Sequence, residues 1–165
     1  MVKVKMVLNW CILMVLIAVA LMIPGVAQAK SIKIWPDELK PMEPNREYFQ
    51  SYSNARNNFF YAPFVLPSGA RITKITYYHR GMGSPASTQV IVDRIKMGNG
   101  VETLASGSST DSTGDIVRVD FAVAGDPTIR SGYRYYIRVL SDNDNSWFMG
   151  VIITFQDVIG STQAQ

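Results

Sequence analysis

Apolar and polar residues alternate with a period of two along most of the chain from residue 58 onward. The clearest examples are residues 115–123 and 132–140, in which every second side chain is apolar. This alternation is typical of β-strands that have one buried face and one face in water. Eight strands are predicted, at 31–35, 58–66, 70–79, 88–95, 101–105, 115–123, 132–140 and 147–155. The pattern therefore predicts an all-β fold, an antiparallel β-sandwich that is jelly-roll-like, with about eight strands.

Two of these strands carry signs of irregularity. Pro63 has no backbone N–H, so its strand is expected to lie at a sheet edge or to break there. Ile72 precedes Ile75 by three positions instead of two, which predicts a β-bulge at residues 73–74. Inward positions are predicted for the apolar residues of the last strand: Met149, Val151, Ile153 and Phe155.

Two polar segments are predicted to lack regular structure. Residues 36–58 are rich in Asn and Pro and show no sustained period, so a long wrapping loop is expected there. Residues 106–114 are rich in Ser, Thr and Gly, a composition that predicts a mobile loop.

The first 29 residues have the layout of a secretory signal peptide. Lys3 and Lys5 precede an apolar run, Pro24 and Gly25 interrupt it, and small residues follow at Ala27 and Ala29. Cleavage is therefore expected after Ala29, and the alternative is a retained membrane anchor. The predicted organisation is a signal peptide at 1–29, a β-sandwich domain at 30–156 and a disordered tail at 157–165. The localisation expected from it is secreted, either extracellular or periplasmic, with membrane contact only through the signal segment.

Composition limits the classes of function. The 165 residues include 16 basic and 13 acidic ones, and loss of Lys3 and Lys5 with the signal would leave 14 basic against 13 acidic. Such a balance lacks the positive field of a nucleic-acid-binding protein. Cys11, the only cysteine, lies in the signal segment, so the mature domain is expected to have no disulfide and no thiol chemistry.

One segment of the sequence resembles known proteins. It spans residues 60–75 and reads Phe-Tyr-Ala-Pro-Phe-Val-Leu-Pro-Ser-Gly-Ala-Arg-Ile-Thr-Lys-Ile. Together with residues 34–41, 133–139 and 150–155, it resembles a group of uncharacterised exported prokaryotic proteins, each a signal peptide followed by one β-sandwich. The resemblance covers most of the mature chain and implies the fold and export. It implies no active site and no partner.

Four aromatic residues are candidates for ligand binding: Trp35, Tyr78, Tyr136 and Trp147. Flat aromatic rings on the outer face of a sandwich, among polar neighbours, could stack against sugar rings. The alternative is that these rings stabilise the sheets as cross-strand pairs or fill the core.

Two other features of the sequence bear on possible chemistry, a pair of loop carboxylates and the single histidine. Asp142 and Asp144 place carboxylates at alternate positions of one loop, which makes calcium a candidate ligand, but the spacing departs from an EF-hand and also suits an ordinary hairpin turn. The single histidine, His79, is expected to be a strand-end residue without a catalytic role. No other cofactor is expected.

These observations lead to one main hypothesis and three alternatives. The main hypothesis is an exported, non-enzymatic β-sandwich with a binding or structural role at the cell surface or in the periplasm, whose partner is a glycan or a surface protein. The alternatives are a carbohydrate-binding module, a polysaccharide-active hydrolase that uses two carboxylates such as Asp93 and Asp120 on adjacent strands, and a subunit of a surface assembly.

Overall fold

The computed structural model describes residues 28–41, 58–81, 85–96, 98–141 and 146–157. Nine strands and one short 3-10 helix lie within these ranges. They are β1 (Ala29–Ile34), the 3-10 helix (Pro36–Glu38), β2 (Lys40–Pro41), β3 (Asn58–Phe64), β4 (Arg71–Gly81), β5 (Ala86–Lys96), β6 (Val101–Asp111), β7 (Ile116–Phe121), β8 (Tyr133–Ser141) and β9 (Ser146–Gln156). No helix within these ranges has the length and apolar character needed to span a membrane.

The strands form two antiparallel sheets. The four-stranded sheet has the order β1-β9-β4-β7, and the five-stranded sheet has the order β2-β3-β8-β5-β6. The predicted all-β antiparallel sandwich is confirmed. One strand, β2, was not predicted from the sequence. It lies within the segment that was expected to be a loop, and it pairs with Phe60 and Tyr61 of β3. β2 begins at Lys40, opposite Tyr61, so Pro63 lies beyond its end and pairs among the described residues only with Tyr136 of β8, which agrees with the predicted edge position.

The core lies between the inner faces of the two sheets. Its largest fully buried apolar side chains include Tyr77, Phe148, Leu39, Ile72, Ile75, Leu104, Ile137 and Ile153. The hydroxyl of Tyr77 on β4 donates a buried hydrogen bond of 3.0 Å to the backbone carbonyl of Thr88 on β5, so it links the two sheets. The predicted inward positions Val119, Phe121, Ile137 and Val139 all belong to this core or pack against it.

Two register shifts occur between β4 and β9. The first, between Ile72 and Lys74, confirms the predicted bulge. The second lies opposite Met149, because Tyr78 pairs with Gly150 while His79 pairs with Phe148. Phe148 is fully buried and Met149 is only half-buried. The prediction that Met149 faces the core is therefore wrong, since the bulge reverses the alternation between positions 148 and 151.

The prediction of a mobile loop over residues 106–114 is also wrong for most of its length. Strand β6 runs without interruption to Asp111 and pairs with β5 along the way. Burial alternates along it, with exposed side chains at 106, 108 and 110 and less exposed ones between them. Polar composition was a poor guide because a strand at the edge of a sheet can carry hydroxyl side chains on its wet face.

The predicted terminal segments fall mostly outside the described residues. In these segments, the ranges outside the described residues are residues 1–27 of the predicted signal segment and residues 158–165 of the predicted tail. Ala29 is the first residue of β1 and pairs with Gln156, while Lys30 forms an ion pair with Asp157. Cleavage after Ala29 stays a prediction.

Candidate functional site

The outer face of the four-stranded sheet carries a groove that crosses β1, β9 and β4. Alternation directs Lys33, Ile152, Thr76 and Asp120 outward, and the strand register places them in one row. The next row contains Gly150, Tyr78 and Arg118. We call this feature the outer groove, with an apolar half and a polar half.

Gly150 shapes the floor of the apolar half. Its φ of 137° is favourable only for glycine, and it lies at the bulge of β9. A Cβ atom at this position would lie 3.3 Å from the Ile34 carbonyl oxygen and 3.7 Å from Cε3 of Trp35. The tighter of these contacts is with the backbone of β1, so a side chain at position 150 would press on Ile34, whereas the Trp35 ring lies at an ordinary van der Waals distance from the position of this Cβ atom.

The apolar half encloses about 300 Å³ and is lined by residues of four strands, β1, β9, β4 and β7, and by the residue after β1. Trp35, Tyr78, Ile116, Met149 and Ile152 supply its large side chains. Trp35 is 55% exposed and Ile116 is 58% exposed, so two large apolar side chains at this site face water. Single exposed apolar residues are ordinary, but a group of them that lines a concavity is typical of a binding site.

The position of Trp35 follows from its local sequence. Pro36 begins the 3-10 helix directly after it, and the backbone N–H of Trp35 donates a hydrogen bond of 2.6 Å to Oε2 of Glu38. Lys33, two residues earlier on β1, holds its ammonium 6.0 Å from the centre of the Trp35 ring. These contacts fix the backbone at Trp35 and leave one face of the groove aromatic.

The polar half, about 250 Å³, continues from the apolar half and shares Tyr78 and Ile152 with it. Its lining combines three cations with three small hydroxyl side chains: Lys30, Lys74, Arg118, Ser31, Thr76 and Thr154. Among the described residues that line either half, none is a carboxylate. The polar half thus offers hydrogen-bond donors and positive charge beside an aromatic surface.

Asp120 lies next to the polar half and is held by its neighbours. Its Oδ1 accepts hydrogen bonds from the Thr76 hydroxyl at 2.5 Å and from Nε of Arg118 at 3.2 Å, and Oδ2 accepts from Arg118 at 2.9 Å. The Thr76 hydroxyl and then the Arg118 guanidinium lower the pKa of Asp120, and the same pairing raises the pKa of Arg118. Asp120 is therefore ionised at neutral pH and neutralises much of the Arg118 charge.

The structure separates the four aromatic residues that the sequence suggested as ligand-binding. Trp35 and Tyr78 lie together in the apolar half. Trp147 projects from β9 next to Arg80, whose guanidinium lies 6.0 Å from the indole centre, and it is not among the residues that line the groove. Tyr136 is on β8 in the other sheet, paired with Pro63 and Asp93, so these four rings do not form one surface.

The carboxylate pair considered for hydrolysis is also separated. Asp93 lies on β5 of the five-stranded sheet and Asp120 on β7 of the four-stranded sheet. Asp93 is fully buried, where it forms an ion pair with Arg138 and accepts a hydrogen bond of 2.7 Å from the Thr103 hydroxyl. The proposed placement of the two residues on adjacent strands is wrong, since β5 and β7 belong to different sheets.

The suggested calcium ligands Asp142 and Asp144 lie outside the described residues. Elsewhere, within the described ranges, no group of three or more His, Cys, Asp or Glu side chains is arranged to hold a metal ion. His79 is fully buried, and neither of its ring nitrogens has a hydrogen-bond partner among the described residues. Burial lowers its pKa, and the charge of Asp111 opposes this effect.

Sequence reasoning missed several residues of the groove, namely Lys33, Lys74, Ile116, Met149, Gly150 and Ile152. Alternation on β4 and β7 indicated that Tyr78 and Arg118 face outward. The missing information was strand order, because β9 comes from the end of the chain and inserts between β1 and β4.

No protein-family model matches the sequence, and no curated protein matches it. Solved structures do match by fold. The CBM36-1 domain of a multidomain xylanase from the hindgut metagenome of Trinervitermes trinervoides has a TM-score of 0.50 and 10% identity, over 75% of this chain and 96% of that one. The CBM22-1 xylan-binding domain of Paenibacillus barcinonensis Xyn10C has a TM-score of 0.47 and 11% identity, over 80% and 96% of the chains. The C-terminal CBM6 of LamC from Zobellia galactanivorans has a TM-score of 0.44 and 13% identity, over 76% and 99%. The likeness to the CBM36-1 domain, at 10% identity, shows a shared β-sandwich fold and nothing finer.

Proposed function

We propose that this protein is an exported, non-enzymatic glycan-binding domain that holds a carbohydrate chain in the outer groove. The observation that carries the proposal is the joining of an aromatic wall, formed by Trp35 and Tyr78, to a half lined by hydroxyl and cationic side chains. A sugar ring has an apolar C–H face and an equatorial rim of hydroxyl groups. The apolar half would take the C–H faces, and the polar half would take the rim through hydrogen bonds.

Binding without catalysis agrees better with this lining than hydrolysis does. Glycosidases of the usual type require two carboxyl groups about 5–10 Å apart on either side of the scissile bond. In the part of the chain that the structure describes, the lining of the outer groove includes no carboxylate, and the nearby Asp120 already accepts hydrogen bonds from Thr76 and Arg118. The proposed role is therefore to hold a glycan at the cell surface or in the periplasm.

Export in this proposal rests on the signal-like residues 1–29. N-terminal sequencing of the protein from its host should begin at Lys30. A chain that begins at Met1 would contradict cleavage and would favour a retained anchor.

The binding proposal is tested by calorimetric titration of the mature domain with xylohexaose, cellohexaose, laminarihexaose and hexagalacturonate. Xylohexaose is a sensible first probe because the solved domain with the TM-score of 0.50 belongs to a xylanase. At least one oligosaccharide should bind, and Trp35→Ala should weaken it by at least about fivefold, as expected for loss of an aromatic anchor.

Tyr136→Ala is the matched control, since it removes an aromatic ring from the opposite sheet. Its affinity should equal that of the wild type. An absence of binding to all four oligosaccharides, or an equal loss in Tyr136→Ala and Trp35→Ala, would overturn the proposal. Light scattering on the same samples should give a monomer, whereas the surface-assembly alternative predicts an oligomer.

A further inference from the structure

The polar half of the outer groove carries positive charge that no carboxylate among the described residues fully neutralises. Among its cations, Lys30 is paired with Asp157, and Arg118 is paired with Asp120. The ammonium of Lys74 forms no ion pair or hydrogen bond with any described residue, although its charge acts on Asp120 from a distance. Lys74 therefore faces the groove as an available cation.

Lys33 provides a second available cation at the boundary between the two halves. It lines the apolar half, and its one described contact is with the ring of Trp35. Lys33 pairs with Ile152 on one side of β9, and Lys74 pairs with Thr154 on the other side. From strand spacing and rise, the two Cα atoms are about 12 Å apart, so the two lysines flank the groove diagonally.

We infer that the glycan held in the outer groove is an acidic one, whose carboxylate groups contact Lys74 and Lys33 while its sugar rings lie against Trp35 and Tyr78. The inference rests on the proposed glycan-binding function and adds the class of glycan. A neutral polysaccharide would leave both ammonium groups without a partner, whereas a uronate polymer carries one carboxylate on each ring. The near-neutral chain as a whole does not predict this preference; the local arrangement of the outer face does.

The experiment compares hexagalacturonate with its fully methyl-esterified form, which has the same rings without the charge. We expect tighter binding of the acid, and an affinity that falls as ionic strength rises while that of the ester does not. Lys74→Gln should weaken binding of hexagalacturonate roughly two- to fivefold, the range of an exposed ion pair, and should leave the ester unaffected. Lys40→Gln is the control, because Lys40 is exposed on β2 of the other sheet.

Each alternative outcome has a distinct meaning. Equal binding of the acid and the ester, with no effect of Lys74→Gln, overturns the inference and leaves the glycan-binding proposal intact. A second contrary outcome is binding of dextran sulfate with no binding of either galacturonate form. That result would show a surface that attracts anionic groups but does not recognise uronate rings, and it would also overturn the inference. Failure of every oligosaccharide, neutral or acidic, overturns both.

Discussion

The ring of Phe121 lies directly against the backbone of Gly107, so that a Cβ atom at position 107 would lie 2.5 Å from Cδ1 of Phe121. Gly107 is on β6 at the edge of the five-stranded sheet, and Phe121 is on β7 at the edge of the four-stranded sheet. The contact joins the two sheets along one side of the sandwich. It also explains a glycine within the Ser/Thr-rich segment that the sequence had suggested was a loop.

The first prediction concerns this contact. Gly107→Ala should lower the free energy of unfolding by about 1–3 kcal/mol, because the added methyl group overpacks the site beneath Phe121. Urea denaturation of the mature domain would measure the change. Gly100→Ala is a matched control, since a Cβ there has no neighbour within 4 Å and its φ is not in the left-handed region. Equal effects in the two variants would contradict the packing argument.

The second prediction concerns the buried carboxylate on the five-stranded sheet. Asp93 is fully buried, and the side chain of its ion-pair partner Arg138 is 25% exposed. Arg138→Ala should lower the free energy of unfolding by about 3 kcal/mol, because it leaves a buried negative charge without its cation. The control is Arg134→Ala on the same strand, at an exposed position, with an expected change within about 0.5 kcal/mol. An effect of Arg138→Ala no larger than that of Arg134→Ala would contradict the prediction that an unpaired buried charge destabilises the fold.

The third prediction concerns His79 and pH. The unfolded chain takes up a proton on this residue near its ordinary pKa of 6.5, whereas burial lowers the pKa in the folded state. Below pH 6.5 the unfolded state therefore binds more protons, and stability should fall as the pH decreases towards the lowered pKa. Asp111 opposes the shift, and the nearby Tyr77 ring, 5.6 Å away, carries no charge in this range.

His79 is the only histidine in the chain, so the test is specific. Denaturation between about pH 7 and pH 5 should show this loss in the wild type and a flatter profile in His79→Leu. An unchanged slope in the variant would assign the pH dependence to carboxylates instead.

The fourth prediction concerns calcium, which the sequence suggested for Asp142 and Asp144. If the loop binds the ion, calorimetric titration with calcium should give heat for the wild type and none for Asp144→Ala. Asp37→Ala, in the exposed 3-10 helix, should behave as the wild type. An absence of heat in the wild-type titration would contradict calcium binding by this loop.

Local alternation was sufficient to predict the burial of Val119, Phe121, Ile137 and Val139, because the two-residue period depends only on the strand itself. It could not show that Tyr78 and Tyr136, both outward on their strands, belong to different sheets. Trp35 and Tyr78 lie close together because β9, which is distant from both of them in sequence, is inserted between β1 and β4. The bulge that turns Met149 outward was missed for a related reason, since its register is set by pairing with β4.

The central claim, that the outer groove of the four-stranded sheet holds the ligand, is tested most directly by the indole resonances of the two tryptophans that remain after loss of the signal, Trp35 and Trp147. The mature domain would be labelled with nitrogen-15 and titrated with the oligosaccharide that binds most tightly in calorimetry. The account predicts that the indole N–H of Trp35 shifts most, together with backbone amides of Tyr78 and Gly150, while those of Tyr136 and Arg138 stay in place. A shift confined to the five-stranded sheet, or to Trp147 alone, would contradict it.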